Sequence, residues 1–395
     1  METWKKNLFV CWFGCFATAA GLSQLAPILP LYIEQLGVHN TAEIEQWSGF
    51  AFGITFVLMA IASPLWGQAA DKYGRKPMLL RASLGMAIII TCMAFVQNVY
   101  QLVGLRLIQG AVSGFISAAI TLVATQAPKE RSGWALGTLS TGAVGGMLLG
   151  PLIGGYLAET WGFRSVFLAT GALLLIAFVA SLLFVQENFS AADRKVLRIR
   201  EIWGLIPNPQ VMIAMFITTF ILQFALLSIE PIITVYIGQL SSNMSHVVLV
   251  SGMVFAASGL ANMLAAPHLG KLSDRIGPQK VMLVALIAAG LLFIPQAFVT
   301  NSWQLMGLRF LLGIAAGGLL PAINTLVKRN TPDHIAGRAF GFNQSAQFLG
   351  SFGGSVLGGQ VAAMFGIHYV FFVTSALLLL NAAWVYMTVC KQVSL

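Results

Sequence analysis

The chain has 395 residues, 57% apolar and only 9% charged, where an average soluble domain carries about 25% charged residues. A water-soluble protein this poor in charge could not cover its own surface. The formal net charge of +9 would suit nucleic acid, but the basic residues are dispersed over alternate connections rather than gathered on one face, which excludes that partner.

The apolar residues come in long runs, such as 78–96 and 281–299. Each matches the roughly 20 residues a helix needs to cross a hydrocarbon core about 30 Å thick. Twelve spans are predicted: 8–35, 46–70, 77–97, 99–126, 132–158, 163–186, 210–238, 247–270, 279–300, 302–327, 335–363 and 367–390. Lys5 and Lys6 precede the first. Lys72, Arg75, Lys76 and Arg81 follow the second, and Lys129 and Arg131 the fourth. Arg194, Lys195, Arg198 and Arg200 follow the sixth, and Lys271, Arg275 and Lys280 the eighth. Lys328, Arg329 and Arg338 follow the tenth, and Lys391 stands near the end. The intervening connections are nearly free of Lys and Arg, a positive-inside pattern with both termini cytoplasmic. The first span is too long for a secretory leader and runs on into Pro27 and Pro30, so it is read as retained.

The stretch 187–209 is the longest polar connection and divides the chain into bundles 1–186 and 210–395. Val196, Leu197, Ile199, Ile202, Trp203 and Ile206 within it fit either an amphipathic segment on the membrane surface or a plain linker. Cys11, Cys15, Cys92 and Cys390 form no framework. Cys11 and Cys15 share a helix face with no nearby His, so they read as small buried side chains and no metal site is expected.

An internal repeat runs through the chain with an offset of 203 to 204 residues. Gly67, Asp71 and Gly74 recur as Gly270, Asp274 and Gly277. Arg106 and Gly110 recur as Arg309 and Gly313, and Pro27 and Tyr32 as Pro231 and Tyr236. Gly137, Gly146, Gly150, Gly154 and Gly155 recur as Gly341, Gly350, Gly354, Gly358 and Gly359. Two halves of one fold and one orientation follow, related by an axis along the membrane normal.

Three segments carry a family resemblance. Gly67-Gln-Ala-Ala-Asp71-Lys-Tyr-Gly74-Arg75-Lys76 resembles the major facilitator signature between spans two and three. Arg106-Leu-Ile-Gln109-Gly110 is similar to the fourth-span motif, and Gly137…Gly146…Gly150-Pro151…Gly154-Gly155 to the fifth-span motif of the antiporters. The resemblance covers the whole chain and looks closest to the twelve-helix drug:proton antiporters. It implies an all-α major facilitator fold of two six-helix bundles in a bacterial inner membrane. It further implies alternating access, efflux of small amphipathic compounds, exchange for protons, membrane lipid as surroundings, a monomer, and no cofactor. Dedicated export of one metabolite such as a siderophore or sugar, and an uncoupled facilitator or lipid flippase, stand as rivals. A non-transporting receptor or scaffold is a third.

Each motif has a physical reading as well. Asp71 can face a helix N-terminus or pair with Arg75 or Arg131, a latch on the cytoplasmic side. A turn held by Gly74 among solvated charges would use the same residues. Asp274 and Arg275 repeat the arrangement, but Pro278 and Gln279 replace the Arg-Lys of the first half, so the second latch is expected to be weaker. The fifth-span glycines give a face for close helix packing, with Pro151 as a bend. Ser355 stands at the equivalent place in the eleventh span.

Charges inside spans are costly, about 2.5–3.5 kcal/mol at mid-helix, so Arg106, Arg309 and Glu230 are candidate sites. At about 1.5 Å per residue the arginines lie roughly 10 Å deep and Glu230 about 12 Å. Glu230 is expected to pair with Arg309, or with Arg106, and to carry the coupled proton: poor hydration favours its neutral form, a near arginine its charged form. A static ion pair that only fixes packing would use the same residues. Ala26 stands opposite Glu230 in the repeat, and apart from Glu34 at the end of the first span no second acid falls within the predicted spans. Glu34 reads as solvated at the outer mouth. Gln24, Gln223, Phe224, Asn324, Asn343 and Gln347 are candidate substrate contacts, with Glu230 among them and Gln109, Gln344, Phe220, Met147 and Phe348 nearby. No H-E-x-x-H, G-x-S-x-G or phosphate loop occurs, so no enzyme is expected.

Overall fold

The computed structural model describes residues 2–128, 131–187, 203–240, 246–332 and 335–390. Long helices dominate: α1 (Thr3–Ser23), α2 (Leu25–Gln35), α3 (Thr41–Tyr73), α4 (Arg75–Met93), α5 (Val99–Val112), α6 (Phe115–Gln126), α7 (Ser132–Trp161) and α8 (Phe163–Phe184). Then come α9 (Pro209–Leu227), α10 (Ile233–Leu240), α11 (Val247–Ile276), α12 (Pro278–Gln296), α13 (Ser302–Gly317), α14 (Leu319–Arg329), α15 (Ala336–Phe365) and α16 (Ile367–Val385). Among the described residues eleven spans are long and apolar enough to cross a membrane, and the bent pair α1–α2 makes a twelfth. Ile176, Leu183 and Leu380 lie more than half exposed, as side chains meeting lipid do and as water would penalise.

Four spans, the first, fourth, seventh and tenth, are broken midway, and the sequence explains each break. A proline lacks the N–H that would bond four residues back, and its ring crowds that carbonyl. Pro27 is four residues past Ser23, where α1 ends, and α2 leaves at 45°. Pro231 is four past Leu227, where α9 ends, and Pro321 four past Gly317, where α13 ends. The fourth span has no proline there. It breaks at Ser113–Gly114, with Gly114 at φ +122°, a conformation that side chains disfavour. Arg81 holds this break. Its Nη1 donates to the Val112 carbonyl at 3.1 Å and its Nη2 to the Ser113 carbonyl at 3.0 Å, while the guanidinium lies 3.7 Å from the Trp66 ring. A cation at a helix C-terminus also complements the dipole.

The repeat is visible in detail. Tyr32 donates to the Met93 carbonyl at 2.7 Å and Tyr236 to the Gln296 carbonyl at 2.9 Å. Asn98 caps α5 by accepting from Gln101 N, and Asn301 caps α13 by accepting from Gln304 N. Gly74 and Gly277, both near φ +95 to +98°, turn the chain tightly into α4 and α12.

Two compact units result. The first comprises Met1–His39, Ile54–Asp193 and Ser245–Ala256; α1 packs on α7 and α4 on α8. The second comprises Asn40–Gly53, Arg194–Met244 and Ala257–Leu395; α9 packs on α15 and α12 on α16. The 1–186 and 210–395 division therefore follows chain order, while packing regroups the first turns of α3 and α11. The amphipathic reading of residues 196–202, and the basic residues Arg194, Lys195, Arg198 and Arg200, lie outside the described residues.

Candidate functional site

Inside the first unit Arg106 of α5 is buried, and its Nη1 donates to Gln109 Oε1 at 2.5 Å. Arg309 of α13 is its repeat in the second unit and is buried too. Leu312 stands where the repeat would put Gln109, and Nε and Nη2 of Arg309 have no hydrogen-bond partner among the described residues. Its electrostatic partner is Glu230 instead. Glu230 is half-buried and opens a three-residue 3₁₀ turn, Glu230–Ile232, in the break between α9 and α10. The two groups attract each other but form no ion pair within 4.0 Å among the described residues. The structure thus brings together the predicted Glu230 and Arg309, and pairs the predicted Arg106 with a neutral amide.

The polar candidates divide by unit. In the second, Thr219 Oγ1 of α9 donates to Asn343 Oδ1 of α15 at 2.7 Å, and Asn343 Nδ2 to Asn324 Oδ1 of α14 at 3.4 Å. Gln223 is buried one turn beyond Thr219, and the Phe224 ring stacks obliquely on Phe220. Gln347 lies on α15, its carbonyl accepting from Ser351 Oγ at 3.0 Å. In the first unit Gln24 sits at the α1–α2 break and donates to Thr170 Oγ1. Gln24 and Glu230 thus occupy equivalent breaks of the repeat. Glu34 is exposed.

At the basic end of α3, Asp71 accepts from Arg75 Nη2 at 2.6 Å. Of the two expected partners it takes Arg75; Arg131 stands at the N-cap of α7. The carboxylate at the N-terminus of α4 is not Asp71 but Glu187, which accepts from the backbone N–H of Arg75 at 2.8 Å and of Lys76 at 2.7 Å. Beside it Asn7, Gln126 and the Gln186 backbone are hydrogen-bonded together. Asp274 and Arg275 are exposed and join no ion pair among the described residues.

The fifth-span glycines separate into two roles. A Cβ on Gly146 would come within 2.3 Å of the Phe16 carbonyl, and one on Gly150 or Gly154 would meet Ala20, Ser23 or Gln24 of the first span. Gly155 faces Val248 of α11 instead, and the Pro151 carbonyl faces Gly252. Gly137, like Gly67, meets nothing within 4 Å, so its place in the packing stripe is corrected: Gly142, which sits against Trp12, takes it. The helix runs unbroken from Ser132 to Trp161 through Pro151.

One more acid lies within a span than the hydropathy of the sequence suggests. The second span starts at Thr41 rather than 46, which brings Glu45 inside it, 4% exposed. Glu43 and Glu45 depress the local hydropathy and moved the predicted boundary inward. Glu43, in the first turn, favours the helix all the same through its dipole.

The sequence matches the family described as Major Facilitator Superfamily over residues 11–252 and 247–391. It is 49% identical over 382 residues to the "Multidrug resistance protein MdtG" of Salmonella paratyphi A, covering 96% of this chain and 95% of that one. The relative of the same name from Citrobacter koseri is also 49% identical over 382 residues, covering 96% and 94%. Among solved structures, a bacterial homologue of the human lysosomal transporter Spinster superposes with TM-score 0.80 at 15% identity, covering 99% and 98%. The human organic anion transporter MFSD10 gives 0.69 at 19% identity, covering 98% and 100%.

Proposed function

Because this chain belongs to the Major Facilitator Superfamily, we propose that it exports small amphipathic compounds across a bacterial inner membrane, with both termini cytoplasmic, in exchange for protons. The multidrug resistance relatives support the substrate class. The observation that supports proton coupling is Glu230, a carboxyl at a helix break beside an arginine with two unpartnered nitrogens. Broken helices near the midplane are where carriers of this kind bind ions and substrates, because unwound backbone supplies polar groups there.

Alternating access supplies the coupling. When Arg309 lies near Glu230 the carboxylate is favoured; when motion separates them, an acid in a poorly hydrated place takes up a proton. One proton falling through 100 mV releases about 2.3 kcal/mol, enough for a roughly fifty-fold gradient of a neutral substrate. The polar set Asn324, Asn343 and Gln223, with Phe224 beside it, offers hydrogen bonds without fixed charge, which suits substrates of several shapes. Asp71 and Arg75 act as the latch at the cytoplasmic end. The protein works as a monomer surrounded by lipid.

The test is transport in proteoliposomes with an imposed pH gradient. Glu230→Gln is expected to lose gradient-driven accumulation while still equilibrating substrate. Wild-type accumulation by that variant would remove Glu230 from the coupling step.

A further inference from the structure

Glu45 stands apart from the pair of Glu230 and Arg309. The residue is 4% exposed, and no hydrogen bond, ion pair or charged neighbour engages its carboxyl among the described residues. Its backbone carbonyl lies against Gly359 of α15, and the next turns of α3 continue the seam: Gly49 meets the Ser355 carbonyl, and Gly53 the Phe352 carbonyl. On α15 the turns in contact, residues 352–359, hold no titratable group. Gly358 on the adjoining side meets the Ser228 carbonyl, two residues before Glu230. On its own segment His39 and Glu43 are exposed. The seam brings the backbones of the two helices together at Gly49, Gly53 and Gly359, and Glu45 is 4% exposed while those turns are seated.

The segment is also where motion must act. α3 is one uninterrupted helix, yet Asn40–Gly53 belongs to the second unit and its continuation from Ile54 to the first. Movement of one unit against the other must therefore bend α3 or lift its first turns from α15.

We propose that Glu45 is a proton-binding gate: its carboxyl must be neutral for the first turns of α3 to seat on α15, and it ionises when they lift. A buried charge without a partner is far costlier than the neutral acid, so seating and proton uptake from the aqueous side are one step. Acid on that side promotes closure, and alkali holds the seam open. This rests on alternating access but not on the assignment of Glu230.

The experiment reads the seam with a thiol. Ser48 is fully buried beside Glu45, and Ser48→Cys changes little volume. The background is Cys92→Ser and Cys390→Ser, since Cys11 and Cys15 are buried. In proteoliposomes of the full chain, labelling by an impermeant maleimide is compared at about pH 5.5 and about pH 8.5, limits that bracket perturbed carboxyls. It is normalised to a cysteine at the exposed position 43, to remove the thiol's own pH dependence. One linked proton changes an equilibrium by up to about tenfold per pH unit, so labelling at the higher pH is expected to exceed that at the lower by about tenfold or more. Glu45→Gln, and independently Glu45→Met, should label slowly at both. Glu230→Gln should keep the pH-dependent labelling while losing gradient-driven accumulation, so the two assignments fail separately. Equal wild-type labelling at both pH values overturns the gate, as does pH dependence that survives in Glu45→Gln and Glu45→Met or vanishes in Glu230→Gln.

Discussion

Single substitutions decide what each buried charge does. Arg106 and Arg309 are repeats of one another, yet one is bonded to Gln109 while the other has Leu312 at that repeat position and Glu230 as its electrostatic partner. A neutral partner makes a fixed structural contact; a titratable one makes a switch. Arg81 is of the fixed kind, tied to the carbonyls that end α5 and stacked on Trp66. Val284 stands at its place in the second half, whose break at Gly318 is dictated by Pro321 instead. Removing charged hydrogen bonds from partly buried acceptors costs about 1.5–3 kcal/mol each. Arg81→Gln is therefore expected to destabilise the purified protein by about 2–4 kcal/mol, read as an earlier thermal transition in detergent. Val284→Arg should not be stabilising, because Val284 is 66% exposed on a membrane span, where the charge would meet lipid. A wild-type transition for Arg81→Gln would mean that the break is held by Gly114 alone.

Between elements, the glycines draw a sharp line. Alanine at Gly354 would place its Cβ 2.3 Å from the Phe224 carbonyl and 2.7 Å from its Cα, both backbone atoms that cannot step aside. Overpacking of this sort costs about 1–3 kcal/mol or more, so Gly354→Ala should lower expression and thermal stability. Gly137→Ala and Gly341→Ala enter open space and should gain up to about 1 kcal/mol of helix propensity. Thermal unfolding of the three variants, in that order of stability, checks the division. These differences were not legible in the sequence, where all the glycines share one spacing; contact with the first and seventh spans sorts them. The helix breaks were half legible. Pro27, Pro231 and Pro321 announce three of them by the four-residue rule, but long apolar runs hide the interruption from any reading based on hydropathy. Glu187 and Glu45 escaped for a related reason: both stand at span ends, where a charge reads as loop.

For the whole molecule, what the sequence made plain was the duplicated membrane bundle, since hydropathy and the 203 to 204 offset act over every span at once. Six spans per half return the chain to its starting side, so both halves share one orientation and their basic connections fall together. The structure adds that equivalent seams repeat as well: Gly49 against Ser355 in one unit and Gly252 against Pro151 in the other. Among the described residues only the first carries a buried acid. The second has Glu159 near its exposed end, accepting from the Leu249 N–H at 3.0 Å and from His246. Such a pattern fits two hinges of one construction with different chemistry, and it requires that residues at equivalent depth face the same solution. Single cysteines at exposed positions 72, 271 and 328 should then react with an impermeant maleimide only after the cells are permeabilised. Those at 39 and 303 should react from outside in intact spheroplasts. Positions 72 and 303 labelling from the same side would break the parallel repeat, because two equivalent chain reversals would then point opposite ways and no common rocking axis could serve both halves.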